Sequence, residues 1–108
     1  MKHEIRETAG VTVVALEGDV DLESSPTARK ILLDCVGRGQ PVVVDMANVS
    51  YIDSSGVASL VESLQNARKA GLGLSLAAVS ESALRVLQLA RLDKVFAIHA
   101  TLEDAVKG

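Results

Sequence analysis

At 108 residues, 48% of them hydrophobic, the chain is the size of one domain and long enough to bury a real core. With one Phe, one Tyr and no Trp, that core must come from Val, Leu, Ile and Ala, which leaves few aromatic platforms for stacking bases or sugars. A net charge of −3 with scattered Lys and Arg argues against a nucleic-acid binder, and no apolar run approaches a bilayer span.

The opening MKHEIRE is charged and no apolar core follows it, so no signal peptide is expected. The single cysteine, Cys35, rules out an internal disulfide and fits a reducing compartment, so a cytoplasmic protein is expected. His3 to Glu7 and Val11 to Gly18 read as two strands around a turn at Thr8-Ala9-Gly10, the second being almost wholly apolar and β-branched. Gly18-Asp19-Val20-Asp21 breaks that run. Ser24-Ser25-Pro26 then signals a helix start with a hydroxyl cap. Ala28, Ile31, Leu32 and Cys35 share one side of this helix, which makes Cys35 a buried structural thiol. Gly37-Arg38-Gly39 stops the helix.

Pro41 opens the short buried strand Val42-Val43-Val44, Asp45 to Asn48 reads as a polar loop, and Val49 to Ile52 is apolar again. From Val57 a helical period runs through Leu60, Val61 and Leu64 to a stop at Gly71. Leu72 to Val79 reads as a strand, Ser80 caps a helix to about Leu89, and Val95 to His99 is the last strand. Thr101-Leu102-Glu103-Asp104 resembles a capping box before a short helix to Val106. The order β-β-α-β-α-β-α-β-α predicts one α/β domain over residues 1–108, with a mixed, mostly parallel sheet and helices packed on it.

One stretch carries the chemistry. Asp53-Ser54-Ser55-Gly56 stands where an extended segment hands over to a helix, and the first N–H groups of a helix lack internal partners. Three roles compete for the hydroxyls there. They can cap the helix, accept a phosphate beside those amides, or act as a nucleophile. A serine nucleophile needs a nearby base, and only His3 and His99 exist. The flanking pattern is not G-x-S-x-G, so a serine esterase is a distant third reading. Gly56 would leave room for a partner's loop. No His/Cys cluster has metal-ligand spacing, and Gly71-Leu72-Gly73 lacks the rest of a phosphate-binding loop, so no metal or nucleotide cofactor is expected.

Nearly the whole chain resembles the STAS domain family, and in particular the bacterial anti-sigma factor antagonists. The resemblance runs through Gly18-Asp19-Val20-Asp21, Val42 to Asp45, Val49-Ser50-Tyr51-Ile52-Asp53-Ser54-Ser55-Gly56, Arg85 to Leu92 before Phe96, and Leu102 to Ala105. It implies a partner switch without enzymatic activity. The unmodified antagonist would bind an anti-sigma serine kinase, ATP would phosphorylate the second serine of the motif, Ser55, and a phosphatase would reverse this. Asp53, Ser54 and Gly56 match the flanking positions, and Asp19 and Asp21 lie in the segment expected at the same end of the fold. Phosphate would be a clash at a close interface, and an acidic surface of Asp19, Asp21, Glu23 and Asp53 would add like-charge repulsion against any acidic partner. The alternative that the resemblance allows is an accessory subunit binding the ATPase of a phospholipid-trafficking ABC transporter. Neither reading involves nucleic acid or direct membrane insertion.

Overall fold

The computed structural model describes residues 1–108 as nine elements. In chain order they are β1 (Lys2–Thr8), β2 (Val11–Val20), α1 (Ser25–Val36), β3 (Val42–Ile52), α2 (Ser54–Lys69), β4 (Leu74–Ala77), α3 (Glu81–Leu89), β5 (Ala97–His99) and α4 (Leu102–Lys107). The strands form one sheet in the order β1-β2-β3-β4-β5. Only the β1–β2 pair is antiparallel, joined by Ala9 and Gly10 with φ of 51° and 77°. Positive φ at both central residues suits the twist of a two-residue hairpin. The other pairs are parallel, as the alternation of strand and helix predicts.

Because each crossover steps to the adjacent strand in the same direction, right-handed connections place α1, α2 and α3 on one face. The packing agrees. Val14, Leu16, Val42, Val44 and Leu76 of the sheet form one cluster with Leu32, Cys35, Leu60, Leu64 and Leu87 of those helices. The alternate residues Val11, Val13, Val43 and Ala77 face the other way, against Ala105 of α4. No helix is long and apolar enough to cross a membrane.

The segment Asp45 to Asn48 is not a loop. It lies inside a continuous 11-residue β3. The β2–β3 register shifts twice, between Ala15 and Glu17 and between Gly18 and Asp19, each shift adding a residue to β3. Each bulge therefore moves the inward-facing position on by one. The buried residues become Val44, Met46, Val49 and Ile52, a spacing no regular strand shows. β2 correspondingly runs two residues past Gly18, whose φ of 87° accommodates the second bulge.

The later strands are shorter than their apolar runs. Leu72 N–H bonds to Ala67 O and so closes α2 instead of joining β4. Ala78, at φ 51°, breaks β4 before Val79. Val95 and Phe96 both donate to Leu92 O in a turn, so β5 begins only at Ala97. Ser24 and Ser80 stand at the expected helix starts, yet neither hydroxyl caps its helix. Ser80 Oγ instead donates to Val49 O at 2.7 Å, and Ser82 Oγ to Ser50 O at 3.0 Å. These two bonds satisfy β3 where it extends beyond β4. Thr101 does cap α4, accepting from Asp104 N at 3.1 Å.

Cys35 is fully buried, and that burial raises its thiol pKa above the ordinary 9.0. A buried, protonated thiol is a poor nucleophile. An aromatic disulfide reagent is therefore expected to label Cys35 only as the protein unfolds in urea, with labelling tracking loss of helical circular dichroism. Rapid labelling of the folded protein would contradict this burial.

Candidate functional site

The site forms where β2 and β3 end and α2 begins. Asp53, with φ −111° and ψ −173°, is still extended and becomes the N-cap of α2. Its Oδ1 accepts from Ser55 N at 2.9 Å and Gly56 N at 3.1 Å, satisfying two orphan donors of the first turn. Its Oδ2 accepts from Leu22 N at 3.0 Å, reaching across to the loop between β2 and α1. Asp53 N donates to Val20 O at 3.3 Å. None of these bonds uses the hydroxyl of Ser54 or Ser55. Ser54 is exposed and Ser55 half-buried, so the second serine is the better anchored of the two.

Two expectations for this turn are corrected. Capping falls to Asp53 alone, with no contribution from Ser54. The amides expected to receive a phosphate are already occupied by the Asp53 carboxylate. Gly56 also differs from its expected role, because it is buried within the chain. A methyl placed there would lie 2.7 Å from Ile52 Cγ1 and 2.9 Å from Val20 Cγ1, and closer still to the Val20 carbonyl oxygen. The missing side chain admits the chain's own backbone, not a partner's loop.

The neighbouring loop is braced from within. Asp21 Oδ1 accepts from Glu23 N at 3.1 Å and Ser24 N at 3.0 Å. Ser24 Oγ accepts from Asp21 N at 2.9 Å and donates to Asp19 O at 2.8 Å, which is where the expected capping hydroxyl went. The Ser24 N–H bond, then the Ser24 hydroxyl, holds the Asp21 carboxyl below its ordinary 3.8. Asp19 and Glu23 are exposed beside it. Asp19, Asp21, Ser54 and Ser55 are thus gathered at one end of the sheet, although Asp21 and Asp53 spend their carboxylates on backbone amides.

Sequence reasoning missed two apolar residues at this end. Leu22 is 74% exposed at the loop tip, and Tyr51, paired with Asp19 in the β2–β3 ladder, is 51% exposed. The available signal was a lone Leu between Asp21 and Glu23, an apolar residue where solvation calls for a polar one. The histidines lie elsewhere. His3 pairs with Leu16, four positions before Val20, and His99 pairs with Ala77, whose β3 partner is Asp45. Asp45 is seven residues from Ile52, roughly 20 Å at about 3.3 Å per residue. The structure therefore does not bring a His99 base to Ser55.

On the other side, the first turn of α2 rests on α1. Ser59 Oγ lies 3.2 Å from the carbonyl oxygens of both Ser55 and Ser25. Further along, Arg29 of α1 and Glu62 of α2 form a two-pronged ion pair, with Arg29 Nη2 donating to Glu62 Oε1 at 2.9 Å. Ser55 is accordingly presented from a helix fixed to both sheet and neighbour.

The family model for the STAS domain matches residues 2–105. The chain belongs to the STAS domain family. The anti-sigma-B factor antagonist of Bacillus subtilis is 29% identical over 94 residues, covering 87% of this chain and 86% of that protein. The anti-sigma-F factor antagonist RsfB of Mycobacterium tuberculosis is 26% identical over 102 residues, covering 92% of this chain and 81% of that one. Among solved structures, an anti-sigma factor antagonist from Mycobacterium paratuberculosis superposes with a TM-score of 0.90 at 26% identity, over 98% of this chain and 91% of its own. The five-stranded mixed sheet with four helices is therefore a STAS fold, as the resemblance implied.

Two measurements check this geometry. Gly56→Ala in the STAS domain is expected to cost about 1–3 kcal/mol in urea unfolding, as overpacking does, despite alanine's better helix propensity. A stabilised variant would overturn the close approach to Val20. Asp21 has a lowered folded-state pKa, so its bonds are intact above the ordinary 3.8 and are lost as pH falls through a lower value. Amide shifts of Glu23 and Ser24 followed by NMR should titrate with a midpoint below 3.8. A midpoint at or above that value would remove the bonding assigned to Asp21.

Proposed function

We propose that this STAS domain is a non-enzymatic regulator in the cytoplasm, an anti-sigma factor antagonist that binds an anti-sigma serine kinase and is released when Ser55 is phosphorylated. The observation that carries the reading is the setting of Ser55. It stands in the first turn of a helix whose position is fixed by Asp53, Val20 and Ser59, with its hydroxyl uncommitted to those bonds. A kinase acting in trans needs a serine at a rigid place and little else from its substrate.

In the transfer, the γ-phosphoryl group of ATP moves to Ser55 Oγ, the P–O bond to the β-phosphate breaks, and ADP leaves. The base that takes the seryl proton is supplied by the kinase. A phosphatase hydrolyses the phosphoserine and resets the switch. In the unmodified state Leu22 and Tyr51 supply apolar contact, while Asp19, Asp21, Ser54 and Ser55 form the surrounding polar surface.

Phosphate adds about −1.5 to −2 charges at this surface. Inside a close interface that group is a steric clash and a desolvation penalty, and a loss of about 3 kcal/mol weakens binding more than a hundredfold. Within the isolated domain it is added at a helix start, where negative charge is favoured, so the fold persists. The names of the matched relatives support the antagonist reading over an accessory subunit of an ABC transporter ATPase.

Incubation with an anti-sigma serine kinase and ATP, followed by tryptic mass spectrometry, should place one phosphate on Ser55. Ser55→Asp should keep the wild-type circular dichroism and lose kinase binding by about a hundredfold, the equivalent of ~3 kcal/mol. Ser55→Ala should bind and resist modification. Phosphate found elsewhere, or full binding by Ser55→Asp, would sink the proposal. Co-purification with an ABC ATPase in place of a kinase would favour the transporter role.

A further inference from the structure

We infer that Asp53 is a positioning residue that joins the loop between β2 and α1 to the start of α2, so that the two segments meet a kinase as one preorganised surface. The inference rests on the antagonist reading for its functional half. Its structural half rests on bonds within the chain. The flanks of the loop are secured without Asp53 Oδ2, through Asp53 N to Val20 O on one side and Ser25 N to Asp21 O at 2.7 Å on the other. The tip is attached across 31 residues of sequence by Leu22 N to Asp53 Oδ2. Leu22 is the more exposed of the two apolar side chains at this end, so its attachment decides where that side chain stands relative to Ser55. One carboxylate thus divides its work, with Oδ1 starting the helix and Oδ2 fixing the loop.

That division makes a selective substitution possible. Asn ranks with Asp as an N-cap, and in Asp53→Asn one carbonyl oxygen can still accept from Ser55 N and Gly56 N. The amide NH2 then replaces Oδ2 and faces the Leu22 N–H, donor against donor. Rotating the amide to satisfy Leu22 gives up two bonds for one. The helix start survives and the Leu22 amide loses its bond to Asp53, while the bracing by Asp21 remains.

Amide hydrogen exchange by NMR on the full chain reads the tether without any partner. In Asp53→Asn the Leu22 amide should exchange at least about tenfold faster, the factor that 1.4 kcal/mol represents. Amides in the body of α2 should be unchanged. Asp53→Ala, which also removes the cap, should add a loss of thermal stability that Asp53→Asn lacks. Kinetics with the kinase then test positioning. KM for Asp53→Asn should rise about tenfold with kcat unchanged, the pattern of lost binding without lost chemistry. Unchanged exchange at Leu22 overturns the inference, as does faster exchange with wild-type KM, or a fall in kcat alone. If wild-type protein is not phosphorylated at all, the proposed function falls, and the exchange experiment still decides the tether.

Discussion

The missing side chain at Gly56 sets how near α2 comes to the sheet, and the rest of the site depends on that distance. With Val20 O and Ile52 pressed against the Gly56 backbone, the ends of β2 and β3 and the first turn of α2 meet at one point. Only from there can a side chain as short as Asp53 reach its own helix and the Leu22 amide together. A larger residue would push α2 outward, and the cap and the loop contact would separate. The close approach is thus a condition for the surface as well as for the core.

The bulges in β3 serve the same end. Two inserted residues carry the strand on beyond β4 while keeping Met46, Val49 and Ile52 in the core. The extension delivers Tyr51 and Asp53 to the far edge of the molecule, and α3 meets the exposed strand with the hydroxyls of Ser80 and Ser82. Irregular pairing at a sheet end, close to functional residues, is a common use of bulges. The stability lost from a regular ladder is small beside the apolar burial retained on the core face.

Electrostatics divides the acidic residues into two groups. Asp21 and Asp53 are structural acceptors, each satisfying several backbone amides, and their negative charge is partly spent on those dipoles. Asp19 and Glu23 project into solvent, where their charge is screened until a partner excludes water. A phosphate added at Ser55 would meet both groups. Its effect inside a dry interface exceeds its effect on the free domain, because the same charges interact more strongly at lower dielectric.

Much of the architecture was legible in the chain. Alternating apolar runs and helical periods gave the element order and the parallel sheet, and Cys35 fell on the buried side of α1 as its spacing implied. Local signals also located the start of α2, the hairpin at Ala9-Gly10 and the cap at Thr101. The continuity of β3 was hidden because bulges depend on the partner strand, and the apolar spacing of three that they produce is not the alternation of a regular strand. Hydroxyl bonding was hidden too. Ser24 and Ser80 sit at helix starts, yet the carbonyls they satisfy belong to other segments. What the sequence by itself determined is the kind of fold and the presence of Asp53-Ser54-Ser55-Gly56 at a strand-to-helix turn, since periodicity and capping act over a few residues. Tertiary structure alone decided that Gly56 serves packing, that Asp53 holds Leu22, and that Ser55 is offered from a braced surface. Those outcomes come from contacts about 30 residues apart, which no local pattern encodes.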